Sequence, residues 1–285
     1  MSPNILLFPV RPALPKPALL VLAAILLAPA AGVAQKPAAP PASKPAPAKD
    51  VVSSSSAIRP PAEHHFSSGQ SYVYEVEWRL WKAGTATLRI EEAGTEHRVV
   101  ASADSIGVAA LLYTVRDRFE AFFDRKTFCS RNLTKHTEEG FRRIQTSIRF
   151  DYARHKSVLE EANLRSNQSK KVENDIPDCV TDVISGIYYL GSQPLAPDAT
   201  YTFLLNDGGR TTQVEAHVEA REEVRTPAGT YPTIRVQPRS ASGVLKDRGQ
   251  MWIWYSDDAA RIPVQMRARM FWGTLTFRLA RIDRK

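Results

Sequence analysis

The chain has 285 residues, with 38 Lys and Arg against 30 Asp and Glu, and only 2 Cys. With 43% apolar residues and five Trp it can build a core, which excludes disorder throughout. Two cysteines exclude zinc cages and multi-bridge scaffolds that need four or more.

The counts are uneven along the chain. Residues 1–65 hold 13 of the 20 prolines, no Trp or Tyr, and six Lys and Arg against two acids. The body carries 32 against 28, so the formal +8 divides equally between leader and body. Arg11 and Lys16 precede an apolar run from Ala18 to Ala28, followed by small residues. That pattern reads as a signal peptide over 1–34, cleaved after Ala34, with Ala30 as the second choice of site. The rival reading is an uncleaved anchor, but the run is shorter than the ~20 residues a spanning helix needs. No Cys follows the run to accept a bacterial lipid. Residues 35–65 form a Pro/Ala/Ser-rich linker that lacks the apolar surface to fold. It is either a spacer across an envelope layer or a leader without a role. His64 and His65 at its end are weak metal evidence.

Residues 66–285 read as a single β-rich domain. Tyr72, Tyr74, Val76 and Trp78 alternate with polar partners, the period of a half-buried strand. The same period recurs around Leu88, Ile148, Val218 and Val264. Asn206 to Gly209 and Thr226 to Gly229 read as hairpin turns, and Ser256 to Asp258 as another turn. Pro263 within a strand pattern points to an edge strand or an outward missing donor. Phe271 to Gly273 reads as a kink or bulge. One segment changes period: Val180, Val183, Ile184, Ile187 and Tyr188 mark a helix over Cys179–Leu190, capped by Asp178 and stopped by Gly191. Ile106 to Val115 has room for one or two helical turns. The polar stretch from Asn163 to Asn174 reads as a loop. The expected fold is mainly β: a strongly curved antiparallel sheet of about ten strands, or an open half-barrel, wrapped around one central helix.

Three stretches then carry a resemblance. They are Asp178 to Val183 leading to Tyr188-Tyr189-Leu190, Thr226 to Tyr231, and Trp252 to Asp258 followed by Arg261 to Val264. With Tyr72, Glu75, Trp78 and Gly84 they resemble the bacterial exported family 3108 of domains of unknown function, across about 66–283. The resemblance implies a Gram-negative envelope protein and no catalytic residue. In outline the expected fold is similar to the half-barrels of lipoprotein carriers, an analogy that carries no function by itself.

The candidate sites are few. Cys129 and Cys179 in an exported protein either pair as a disulfide or stay as two buried thiols. His97, His136, His155 and His217 are dispersed, without a metal-ligand spacing, so no metal is expected. No nucleophile elbow surrounds Ser185-Gly186, and no phosphate-binding glycine loop occurs, so no cofactor is expected. Asp257 and Asp258 read as turn residues. Asp182 reads as a structural charge near a helix start, where a contact to Arg116 is conceivable. Lys170-Lys171 is too short for a nucleic-acid stripe, so no nucleic-acid partner is expected. Aromatics remain. Trp252 and Trp254 share one face of a strand whose other face carries Met251, Ile253 and Tyr255. A strand apolar on both sides is either covered or lines a groove, and Trp78, Tyr188, Trp252, Trp254 and Trp272 are the candidate aromatic groove. The resulting expectation is a soluble periplasmic, non-enzymatic binder of an apolar or amphipathic component, a lipid or an envelope protein. The alternatives are an interaction module with a filled core, and an envelope enzyme with an unrecognised site.

Overall fold

The structure, a computed structural model, describes residue 64 and residues 66–240, 249–270 and 273–284. The expected signal peptide, and all of the linker but His64, lie outside the described residues. So does Trp272.

Fourteen strands form one antiparallel sheet among the described residues. The first eight are β1 (Ser71–Trp78), β2 (Trp81–Ala93), β3 (Glu96–Ser105), β4 (Val115–Asp124), β5 (Ser130–Glu139), β6 (Arg142–Asp151), β7 (Lys156–Asn163) and β8 (Gln168–Asp175). The last six are β9 (Thr200–Asn206), β10 (Thr211–Thr226), β11 (Gly229–Arg239), β12 (Gln250–Ser256), β13 (Pro263–Met270) and β14 (Gly273–Asp283). Two short helices interrupt them, α1 (Gly107–Leu112) and α2 (Val183–Ser192). Every neighbour in the sheet is also a neighbour in sequence, except that β1 pairs with β14. The fold is therefore two meanders, of eight and six strands, joined where the first and last strands meet.

The edges β8 and β9 do not pair with each other, so the sheet is not closed into a barrel. Its two ends nevertheless approach. Thr181 N donates to Leu204 O and Asn206 N donates to Thr181 O, both at 2.8 Å, so the segment after β8 lies along β9. Ser130 N donates to Val180 O at 2.9 Å, which ties the same segment to β5. In the β9–β10 turn, Asn174 Nδ2 donates to Gly208 O at 3.0 Å. A Cβ at Gly208 would come within 2.6 Å of Leu159 and 2.7 Å of Ile148, on β7 and β6. Strands so far apart in the order meet only if the sheet curls back on itself, as accumulated twist makes a large sheet do.

The alternation seen in the sequence sorts the two faces. Val99 and Ala101, Phe119, Ala121 and Phe123, Leu133, Ile148, Val214 and Ala216 all enter one inner core. The outer face is polar, with cross-strand ion pairs such as Arg98–Glu120 at 2.6 Å and Arg235–Glu219 at 2.9 Å. Pairs this exposed contribute little each.

Five expectations change. The sheet has fourteen strands rather than about ten. One of the additional strands is β8, within the stretch read as a loop; seven of its eight residues are exposed, so no buried face imposed a period. Pro263 is not on an edge strand. It opens the interior strand β13, beside a register shift at Trp254 and Tyr255, where a missing ladder donor is tolerated. Finally, the helix begins at Val183 with Asp182, not Asp178, as its cap. Val180 and Thr181 are held extended by β5 and β9, so the helix cannot start earlier. Gly191 lies inside the helix rather than ending it, where a Cβ would stand 3.2 Å from Tyr255 Cε1.

Candidate functional site: the inner face around the second helix

α2 packs on the inner face with nine of its ten residues buried. Val183, Ile184, Tyr188, Tyr189 and Leu190 join the core formed by both meanders. Its stripe of apolar residues at three- and four-residue spacing explains why it forms here. Its first turn is fixed by a buried polar knot. Asp182 Oδ1 accepts from Ile184 N at 2.7 Å and Ser185 N at 3.0 Å. Asp182 Oδ2 accepts from Ser130 Oγ at 2.6 Å, and Ser130 and Ser185 hydroxyls lie 2.8 Å apart. Asp182 N donates to Ser130 Oγ at 2.6 Å and to Ser185 Oγ at 2.9 Å, which completes a capping box. Burial pushes the Asp182 carboxyl above its ordinary range, against the pull of these donors. Its partners are hydroxyls and amides, so the conceivable contact to Arg116 is replaced by the knot.

Cys129 and Cys179 form a disulfide, with Cα atoms 5.1 Å apart. It ties the start of β5 to the segment leading into α2, next to the knot. Tyr152 OH adds a third tie, donating to Ser130 O at 2.8 Å and Val180 O at 3.3 Å. At the C-terminal half, Tyr255 OH donates to Ile187 O at 2.7 Å. The helix is therefore held to both meanders.

Between α2 and the sheet runs an apolar cleft. Ile184 and Ile187 face Tyr74, Leu88, Met266 and Phe277 across a cavity of about 40 Å³. A second void of about 40 Å³ continues past Phe277 to Val76, Ala103, Val115 and Leu275, at the end of the sheet that carries α1. The two small voids share the Phe277 wall; the first is lined almost wholly by apolar atoms, and the second also meets Thr85, Asp104 and Ser105. The first void suits contact with hydrocarbon.

The expected aromatic groove is divided. Tyr188 lies in the inner core, where its ring stands 6.0 Å from that of Phe123 and 5.0 Å from that of Phe66. Trp254 points to the outer face, in a small cluster with Val224 and Val264 that Trp252 and Tyr231 flank. Trp254 Nε1 donates to Glu222 at 2.6 Å, and the Arg267 guanidinium lies 5.2 Å from its ring centroid. The second apolar face of β12 is thus covered by neighbouring side chains. Trp78 is half-buried against the inner core, beneath Arg79 at 5.5 Å. Its Nε1 would stand 2.8 Å from a Cβ at position 273, where φ is +145°, so glycine fits there on two counts. Tyr188 and Trp78 adjoin the inner core; Trp252 and Trp254 lie across the sheet from them.

The inner face also holds charged residues that no sequence motif marks. Asp117, Lys135 and Glu139 are buried at the α1 end of β4 and β5, with Thr137 and Thr146. Burial, and then the neighbouring Glu139, push the Asp117 carboxyl up to about 8, while Glu138 N donates to its Oδ1 at 3.2 Å. The signal was present in the period: Asp117 is in phase with Phe119, Ala121 and Phe123, and Lys135, Thr137 and Glu139 with Leu133. Of the histidines, His97 is inner and ring-packed 5.3 Å from Phe123, and burial lowers its pKa to about 4. His136 pairs with Gln145 at 3.0 Å and His217 with Thr200 at 3.2 Å, so the four histidines do not gather.

Among curated proteins no sequence matches the chain. Among solved structures it is similar to a beta-barrel-like protein of a domain of unknown function, DUF1849, from Brucella abortus. The TM-score is 0.52 at 10% identity, over 79% of this chain and 98% of that one. It is more distantly similar to a protein with a YmcC-like fold from Bacteroides fragilis, at a TM-score of 0.36 and 11% identity, over 78% of this chain and 98% of that one. The first of these supports the fold of a large antiparallel sheet. The family model described as a protein of unknown function, DUF3108, matches residues 73–280, and the chain therefore belongs to that family.

Proposed function

We propose that this is an exported, periplasmic, non-enzymatic β-domain that binds an apolar or amphipathic envelope component, with the hydrocarbon part held in the cleft beside α2. In this reading the sheet is a half-barrel and α2 is its central helix. The observation that carries it is the cleft between Ile184 and Ile187 and the strands bearing Tyr74, Leu88, Met251, Met266 and Phe277. Its lining is apolar, and two methionines give it adjustable walls. A voided apolar surface loses dispersion contacts that a hydrocarbon chain would restore. The signal-like leader and the disulfide both suit an oxidising compartment outside the cytoplasm.

The size of the cleft defines what it takes. About 40 Å³ is far below the roughly 300–1,000 Å³ of a typical small-molecule pocket. The site therefore fits the end of a chain rather than a whole lipid. The same observation favours a second reading, a filled-core module in which α2 is a permanent part of the interior and recognition occurs elsewhere on the surface. The two readings separate in one experiment. Native mass spectrometry of protein taken from a Gram-negative periplasm, with displacement of a hydrophobic dye, reports on chain binding. Ala268→Trp, which fills the cleft, abolishes the signal under the first reading. Absence of both lipid and dye binding in the unaltered protein leaves the second.

A further inference from the structure

Every second connection of a meander falls at the same end of the sheet. In β1–β8 the β1–β2, β3–β4, β5–β6 and β7–β8 connections share one end, as the pairings Trp78↔Trp81, Val115↔Glu139 and Ile144↔Asn163 require. Of the eight large apolar residues exposed among the described ones, seven lie on these four connections or beside them. Leu80 and Trp81 are at the β1–β2 turn, 92% and 78% exposed. Three are in α1, Leu111 and Leu112 among them; Phe141 is in the β5–β6 turn and Leu164 follows β7. The opposite end of the same strands is the internal comparison. Its connections, 94–95, 125–129 and 152–155, carry no exposed large apolar residue. Four separate loops that all leave apolar tips in water on one side describe a surface rather than scatter.

Charge identifies the occupant. Arg79, Arg116, Arg142, Arg143 and Arg165 stand along this rim, and among the described residues none has a carboxylate within ion-pair distance. Two carboxylates nearby are engaged with other arginines, Asp104 with Arg118 at 2.9 Å and Glu77 with Arg278 at 3.0 Å, and Glu138 lies 3.4 Å from His136. Cations also interleave with the apolar groups, Arg165 lying 5.8 Å from the Phe141 ring centroid and donating to Phe141 O at 3.2 Å. Apolar tips flanked by unpaired arginines match a layer with hydrocarbon beneath anionic headgroups. We propose that this rim docks the domain on an anionic phospholipid membrane, with Leu80, Trp81, Leu111, Leu112 and Phe141 entering the interface. The inference goes beyond the cleft reading and does not depend on it, although the second void of the cleft opens at this same end.

Co-sedimentation of the full chain with mixed phosphatidylethanolamine–phosphatidylglycerol vesicles tests it, against phosphatidylcholine vesicles. Binding to the anionic vesicles that weakens with salt is expected, with a blue shift in Trp emission that Trp81→Phe removes. Leu111→Ser with Leu112→Ser, and separately Arg143→Glu with Arg165→Glu, should each lower the apparent affinity by about tenfold or more. Circular dichroism checks that the variants fold, and Phe141→Ser replaces the leucine pair if they do not. Absence of binding to the anionic vesicles overturns the proposal, as does binding that neither variant weakens. A dimer in sedimentation velocity that the leucine pair dissolves would overturn it in favour of a second copy on the rim. Lipid co-purification and dye binding read the cleft alone, so either idea can fail without the other.

Discussion

Replacing Asp117 by Asn probes the buried charges at the α1 end of the sheet. The carboxyl is wholly buried, its Oδ2 has no hydrogen-bond partner among the described residues, and Glu139 stands nearby. Its folded pKa of about 8 exceeds the ordinary 3.8, chiefly through burial and then through Glu139. A group raised in the folded state favours folding at low pH. That contribution is full below pH 3.8, declines as the pH rises towards 8, and is gone above it. Four units at about 1.4 kcal/mol each set a ceiling near 6 kcal/mol. Because the cost is shared with Glu139, the substitution should recover roughly half, about 2–3 kcal/mol at pH 9, and little at pH 4. Asn keeps the acceptor for Glu138 N and gains a donor towards Glu139. Urea unfolding midpoints of the two proteins between pH 4 and pH 9, disulfide intact, give the answer. The reasoning fails if Asp117→Asn lowers stability at pH 9, or if both proteins show the same pH slope.

Removing the Cys129–Cys179 bridge by paired Ser substitutions should cost about 2–4 kcal/mol in chemical unfolding, since it closes a 50-residue separation. Asp182→Ala leaves Ile184 N, Ser185 N and the Ser130 hydroxyl without their acceptor in a buried site. The loss should be about 2–4 kcal/mol, with hydrogen exchange faster in α2 than in the strands. Gly208→Ala places a Cβ 2.6 Å from Leu159 at a φ of +90°, so a cost of about 2 kcal/mol or more is expected in the same assay.

The sequence was most legible where one face is wet and the other buried. The periods at Tyr72–Trp78, Ala86–Ile90 and Val214–Ala220 all became strands, and the turns at Asn206–Gly209 and Thr226–Gly229 became hairpin connections. The disulfide was one of the two readings the cysteines left open, and it is the one the structure shows. What was hidden depends on distance along the chain. No local pattern says that β1 pairs with β14, or that Val180 and Thr181 are captured by β5 and β9 so that Asp182 caps the helix. β8 was invisible because an edge strand wet on both faces has no alternation. At the site, the apolar character of β12 on both faces was readable, but not that Val224 and Val264 cover the second one. Asp117 and Glu139 were readable from phase alone, although no catalytic motif surrounds them.

The central claim is that hydrocarbon binds in the cleft beside α2. Native mass spectrometry of periplasmically produced protein, with Ala268→Trp measured in parallel, tests it most directly. Bound lipid in the unaltered protein that disappears in the folded variant is the predicted result. A lipid-free spectrum for the unaltered protein, or equal lipid in both, would contradict it.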